Sequence, residues 1–324
     1  VLRKAKTRTG IDLGDGSVKI VCGEGTSKLE RISRAGIEEY AGSGSNDRSR
    51  TAAAALARLL DRLSLNRGRL GRIAVAVGGK GVAVGEILLP ALSETELRRA
   101  LPFEARKHLF LEGIEDPELD CQILGPAPNG TSGSAGEVRV LLAAASRSRR
   151  DFVVRTLELA GLEPEVVDLE PLASLNALLA HVSFAEEDNR ALALLDLGAH
   201  QTALHLAHPE GGLLTRQAGD GTPPRGNPEE EETYADQVAT RVKETLTYYR
   251  GRQRQEVGRV YLAGGGSLRS GIVEPLESRL GLPLLRFDPF ERLGKAAVGK
   301  NAPEGGPRFV TAYGLSRWWD GSLV

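Results

Sequence analysis

Gly10-Ile11-Asp12-Leu13-Gly14-Asp15-Gly16-Ser17-Val18-Lys19 reads as the end of an apolar strand, a tight turn at Gly14-Asp15-Gly16 and a returning strand. The pattern stands a second time in the other half of the chain. There Leu194-Leu195-Asp196-Leu197-Gly198 ends an apolar strand and Thr202–Ala207 returns from the turn. Turns commonly use Asp and Gly, so a single Asp-Leu-Gly hairpin carries little weight. Two copies, one in each half, point to duplicated lobes clamping a polyphosphate between them. The turn glycines are expected to take positive φ and to let main-chain N–H groups face an anion. Asp12 and Asp196 are the residue type that holds Mg²⁺, usually through water, or orients an attacking water.

A third element lies at Val260-Tyr261-Leu262-Ala263-Gly264-Gly265-Gly266-Ser267-Leu268, a strand running into three glycines and then a helix. Without side chains the glycines permit close approach of a flat base or a phosphate. The stretch is neither a Gly-x-Gly-x-x-Gly fingerprint nor a Walker motif ending in Gly-Lys-Ser, which excludes dinucleotide and P-loop readings.

Composition narrows the class. A chain of 324 residues suits two compact units or one bilobed unit. Its 42 Lys and Arg nearly cancel 43 Asp and Glu, which argues against a general nucleic-acid binder. Cys22 and Cys121 are far apart, so neither a disulfide framework nor a cysteine zinc site is expected, and a reducing compartment fits. No run of 18 apolar residues occurs, so no membrane-spanning helix is expected. The basic Val1–Thr9 segment is not followed by an apolar stretch, and we expect no secretory leader.

Between these motifs the chain alternates strands and helices. Residues 41–50 read as a loop, with Thr51 expected to cap an Ala/Leu-rich helix. Ile73–Val77 and Val82–Leu89 read as strands, and Ser93 with Glu96 as a capping box opening a helix to about His108. Strands Asp120–Leu124 and Val138–Ala144 flank a Gly/Pro/Ser loop at 125–136, and helix 150–160 ends at Gly161. Strand Glu165–Leu169 precedes a helix opened by Pro171. Residues 218–228 read as a flexible connector, followed by a helix whose acidic start, Glu229–Glu232, suits the helix dipole. A strand at Arg259–Ala263, a helix at Ser270–Leu280, a Gly/Pro loop at 299–307 and a closing helix at about Val310–Trp319 complete the reading.

Taken together, the motifs resemble the superfamily of actin, heat-shock chaperones and sugar kinases. Gly10–Lys19 resembles its first phosphate motif, Leu195–Thr202 its second, Leu262–Leu268 its adenosine motif, and Asp168–Ala173 its first connecting segment. Within that group the chain resembles the PilM family of type IV pilus assembly proteins. Glu86–Pro90, Leu101–His108, Leu119–Gly125, Val140–Arg147, Ala160–Pro164 and Ala312–Leu315 follow that family in order. The resemblance implies an actin-like ATPase fold of two RNase H-like lobes, with an inserted α+β subdomain in the first lobe as in the division protein FtsA. The first lobe would span 8–79 and 166–189 with a closing helix at 308–319. The inserted subdomain would be 80–165, and the second lobe 190–298 with a shortened insertion at about 217–258. It also implies a cytoplasmic protein peripheral to the inner membrane. The implied partners are the N-terminal cytoplasmic peptide of a PilN-like protein, seated between first lobe and insert, and more loosely the assembly ATPase and the platform protein.

For an ATP and Mg²⁺ site the resemblance assigns Asp12 and Asp196 to Mg²⁺ and to catalysis. Lys19, Gly14, Gly16, Ser17, Gly198 and Thr202 fall to the phosphates, and Gly264, Gly265 and Gly266 to the nucleoside. Glu170 is either a water-positioning catalytic group or a helix N-terminal carboxylate. Two departures stand against hydrolysis and leave nucleotide binding open. Asp15 occupies a turn position where the family has a small hydroxyl residue, and a carboxylate there should repel phosphate unless Mg²⁺ or Lys19 offsets it. The reduced 217–258 stretch removes a wall expected around adenine and ribose.

Other signals are weaker. His200, His205 and His208 do not share a face suited to zinc. Arg98-Arg99 and Arg147–Arg150 read as solvated runs, or as contacts to anionic lipid or an acidic partner. Trp318-Trp319 suits packing of the closing helix better than a membrane surface, and Tyr248-Tyr249 reads as half core and half surface. Competing functions are a sugar-kinase-like phosphotransferase, a component of a type II secretion-like system, and a division-type filament protein. The last is disfavoured because no amphipathic tether follows Trp319 in this sequence.

Overall fold

The computed structural model describes residues 7–26, 29–40, 48–127, 136–208, 210–298 and 303–318. Part of each expected loop at 41–50, 125–136 and 299–307, and Trp319, lie outside the described residues.

The first hairpin is β1 (Arg8–Leu13) and β2 (Ser17–Thr26), paired antiparallel with Asp12 opposite Lys19, and β3 (Leu29–Glu39) adds to β2. Helices α1 (Arg48–Arg62) and α2 (Arg67–Leu70) lead to β4 (Arg72–Val77), which runs parallel to β1. Next come β5 (Val82–Pro90), α3 (Glu94–His108), β6 (Pro117–Pro126), β7 (Glu137–Ser146) and α4 (Arg147–Leu159). The chain then returns as β8 (Val166–Leu169), parallel to β4, and α5 (Glu170–Leu179). The second half repeats the plan. Hairpin β9 (Ala191–Leu197) and β10 (Gln201–Ala207) is followed by β11 (Leu214–Asp220), α6 (Pro228–Gln253), β12 (Val257–Ala263), α7 (Ser270–Leu280) and β13 (Leu284–Arg286). Short helices α8 (Pro289–Leu293), α9 (Lys295–Val298) and α10 (Val310–Ser316) close the chain.

Strand order makes the duplication explicit. The first sheet is β3-β2-β1-β4-β8, and the second contains β11-β10-β9-β12-β13 in the same sequence of roles. In each, the first two pairings are antiparallel and the last two parallel. The interior strands β4 and β9 are buried along nearly their whole length, as strands covered on both faces should be. Between the lobes α5 crosses α10, where a Cβ on Gly314 would stand 1.8 Å from the Ala173 carbonyl oxygen. Only glycine permits that approach. Ser174 and Thr311 hydroxyls, 2.9 Å apart and buried, link the same two helices.

Residues 80–165 build a three-stranded antiparallel sheet, β5-β7-β6, under α3. Ser93 and Glu96 form the expected capping box, and Leu97, Leu101 and Ala105 give α3 its buried stripe. This sheet is not separate. Leu214 pairs with Gly85, and the Glu86 N–H donates to the Leu213 carbonyl at 2.8 Å, so β5 continues the second-lobe sheet into eight strands. The buried Glu86 carboxylate accepts from Arg139 Nε at 2.5 Å and Nη2 at 3.2 Å beside this junction. Phe110 is held between the Tyr248 ring, at 5.6 Å, and the Arg216 guanidinium, at 4.5 Å. Meanwhile α4 packs with α1 in the first-lobe core. The insert therefore touches both lobes.

Several expectations are corrected. Helix α1 begins at Arg48, so Thr51 is not its cap; the Thr51 hydroxyl donates back to the Arg48 carbonyl. Of the expected flexible connector, residues 218–220 belong to β11 and Pro228 opens α6, and between them Arg269 donates to the Pro223 carbonyl at 2.5 Å and the Pro224 carbonyl at 3.2 Å. Strand β3 has no expectation to match: it is an edge strand whose charged residues mask its pattern.

Candidate functional site

The two Asp-Leu-Gly turns face each other across a cleft. In both, the glycine N–H donates to the residue three positions on, Gly14 to Ser17 and Gly198 to Gln201, each at 3.0 Å. The tips nearly touch, since a Cβ on Gly16 would lie 3.7 Å from His200 Cε1. Between them lies a cavity of about 320 Å³. Asp12, Gly14, Gly16, Ser17, Lys19, Glu170, Asp196, Gly198, Gly264 and Gly265 all line it.

Two expected residues do not. Thr202 is fully buried, and its hydroxyl donates to the Asp220 carbonyl at 2.9 Å and meets the Tyr234 hydroxyl. It secures the foot of β10 against β11 and α6, which removes it from the phosphate role. Gly266 is buried against Leu197 and Thr222 instead of meeting the cavity. Nor do Gly14, Gly16 and Gly198 take positive φ; Gly264 does, at 79°. A Cβ on Gly264 would come within 2.4 Å of Asp196 Oδ1, so this glycine lets the turn after β12 close onto the second hairpin.

Charge is concentrated on the cleft floor. Lys19 Nζ donates to Asp12 Oδ2 at 2.7 Å, and both side chains are only 14% exposed. Burial works against the Lys19 ammonium, but Asp12, then Asp196 and Glu170, outweigh it and raise its pKa. Enclosure pushes the Asp196 carboxyl up to about 6; Lys19 opposes this and Asp12 adds to it. Glu170 is pushed up to about 8 by burial and then by the charges of Asp196 and Asp12. Its Oε2 accepts from the Gly79 N–H at 2.7 Å, which ties the first turn of α5 to the end of β4.

Asp15 is the residue that sequence reading left exposed to phosphate. In the fold it pairs with Arg149, at 2.6 Å, and with Arg48. Burial alone would raise its pKa, but the two guanidinium groups hold it below the usual carboxylate value. Gly78, Gly79, Arg149 and Arg308 also line the cavity and Arg48 reaches Asp15 beside it, none of them given a role from the sequence, while His200, weighed there only as a metal ligand, lines it too. The signal for Arg149 was the Arg147–Arg150 run, of which Arg147 and Arg150 pair outward with Asp116 and Glu118 while Arg149 turns in. His205 and His208 are engaged elsewhere, with Thr215 and the Asn189 carbonyl.

The donor set suits a polyphosphate with a hard cation. Among the described residues, the N–H groups of Asp15, Gly16, Ala199 and His200 have no acceptor, and all four residues line the cavity. Such turns are anion nests. Asp12 and Asp196 supply carboxylate oxygens, the donor type Mg²⁺ takes one or two of alongside waters and phosphate oxygens, and no cluster of three or more metal-ligating side chains stands among the described residues. No residue of α6 lines the cavity; Gly264, Gly265, Pro307, Arg308, Val310 and Thr311 are among the residues that do.

Two lobes of one topology, each lending an aspartate hairpin to a shared cleft, define an actin-like ATPase fold. Sequence comparison then gives the family: the profile described as type IV pilus assembly protein PilM matches residues 10–223, well over half of the chain, and the chain belongs to that family. Among solved structures, one described as a PilM-PilN type IV pilus biogenesis complex is 24% identical with a TM-score of 0.70, covering 95% of this chain and 97% of that one. A diol dehydratase-reactivating factor in nucleotide-free form is 11% identical with a TM-score of 0.52, over 97% of this chain and 100% of that one. The ethanolamine utilization protein EutJ from Carboxydothermus hydrogenoformans is 14% identical with a TM-score of 0.49, over 96% and 89%. At such identities the first two of these structures speak to the fold alone. No helix among the described residues is long and apolar enough to cross a membrane.

Proposed function

We propose that this chain is a cytoplasmic scaffold of type IV pilus assembly, held at the inner membrane by the N-terminal cytoplasmic peptide of a PilN-like partner. The observation that carries the reading is the family match over residues 10–223, which takes in the first hairpin, the insert and the second hairpin. The solved relative is described as a complex with PilN, which supports the same kind of partner here. We assign residues 8–79 and 166–189 with the closing helix to the first lobe, 80–165 to the insert and 190–298 to the second lobe. The partner peptide belongs between first lobe and insert.

The cleft, on this reading, takes an adenine nucleotide. The open N–H groups of both turns and Lys19 hold the phosphates, and Gly264 and Gly265 receive the nucleoside. Bound Mg²⁺ would supply charge neutralisation, with Asp12 and Asp196 as its holders; Glu170 keeps the β4 loop in place. Turnover is slight, because Glu170 is committed to the Gly79 N–H rather than free to orient a water. The test is a titration with a PilN-like N-terminal peptide by calorimetry or pulldown. Binding in the micromolar range or tighter is expected, and an inert peptide would remove the scaffold reading.

A further inference from the structure

The side of the cleft away from Gly264 and Gly265 adjoins a second cavity of about 390 Å³. The two cavities share Asp15, Arg149 and His200, while Gly264, Gly265, Pro307 and Arg308 belong to the first alone. Asp15 therefore stands where a chain of phosphates entering from the glycine end would finish.

Its surroundings are those of a bound phosphate oxygen. Arg149 Nη1 donates to Asp15 Oδ1 at 2.6 Å, and Arg48 Nη2 donates to the same oxygen. Two guanidinium groups converging on one anionic oxygen is how arginines grip a phosphoryl group. Both cations are fixed independently of Asp15. Arg149 Nε donates to the Gly78 carbonyl at 2.8 Å, and Arg48 lies 4.2 Å from the centre of the Phe152 ring. Arg48 Nε is buried with no acceptor among the described residues, so this cationic pair has a donor that a lone carboxylate leaves unused.

We propose that Asp15 is a specificity-determining residue of the cleft, a tethered carboxylate in the place of the terminal phosphate that restricts the site to nucleoside diphosphates. The proposal rests on the nucleotide reading above. A diphosphate is held by the two turns and Lys19 and ends short of the Asp15 carboxylate. A triphosphate brings its last group against a fixed negative charge, and the arginines that would have met it are already neutralised. Like charges a few ångströms apart in a partly dehydrated cleft cost enough to weaken binding by about 10-fold or more.

Calorimetric titrations of ADP and ATP, each with Mg²⁺, into the intact chain and into Asp15→Ser and Asp15→Asn test this. The parent is expected to bind ADP about 10-fold more tightly than ATP. Both variants should gain roughly 10-fold for ATP while ADP changes by less than about 3-fold. The asparagine variant keeps the volume and one acceptor, which guards against a serine variant that fails to fold. Melting with inorganic phosphate alone gives a second readout: phosphate should protect Asp15→Ser more than it protects the parent. Equal affinity of the parent for ADP and ATP, or an unchanged ratio in the asparagine variant, overturns the proposal. Absence of binding of either nucleotide by all three proteins would instead remove the nucleotide reading itself, and the proposal with it.

Discussion

Replacing Glu170 by Gln should make the protein more stable in alkali, and the cleft gives the size of the effect. The Glu170 carboxyl, ordinarily near 4.5, is pushed up to about 8 by burial and by Asp196 and Asp12. The folded chain thus keeps a proton that the unfolded chain releases. This contribution to stability is fully present below about 4.5 and is lost as pH rises through about 8. At face value the displacement amounts to about 5 kcal/mol. Water enters the open cleft and the charge is shared with Asp196, so about 2 kcal/mol is the working figure. Glutamine preserves an acceptor for the Gly79 N–H and carries no charge. In melts from pH 4.5 to 9 with chelator present, Glu170→Gln should match the parent at the acid end. At pH 9 it should melt higher by about 3 °C. Parallel curves across the range, or a variant less stable at pH 9, would refute the electrostatic account of the cleft floor.

Three further perturbations probe the frame. Gly314→Val would drive a side chain into the Ala173 carbonyl at the crossing of α5 and α10; a loss of at least about 3 kcal/mol in urea unfolding is expected. Glu86→Gln leaves the Arg139 guanidinium without its carboxylate beside the β5–β11 junction. About 3 kcal/mol should be lost, with hydrogen exchange of β5 and β11 rising before that of β1 and β4. Ser93→Ala removes the capping box of α3 at a cost of about 1 kcal/mol, seen as faster exchange confined to the insert.

Which parts of this molecule could be read from residues alone follows from the range of the forces that specify them. Hairpin tips at Gly14-Asp15-Gly16, the cap at Ser93 and the glycine turn after β12 are set by neighbours a few positions away, and each left a local pattern. Strands β4 and β9 were visible because burial on both faces demands unbroken apolar runs. Strand β3 carries only Ile32 as a large, fully buried apolar side chain among its described ones, and β13 has three residues; sheet edges require too little burial to mark a sequence.

The sequence by itself determined the duplicated plan, because two lobes of one topology need the same residues at the same turns. It also supplied the acidic residues of the cleft. Tertiary structure alone decided what those residues meet. Asp15 is 33 positions from Arg48 and 134 from Arg149, and no local rule joins them. Thr202 and Gly266 carry the expected residue types yet face the interior, because α6 and Thr222 pack there. The joining of β5 to β11, which binds the insert to the second lobe, likewise rests on main-chain hydrogen bonding that is nearly blind to side chains and so leaves no mark in composition.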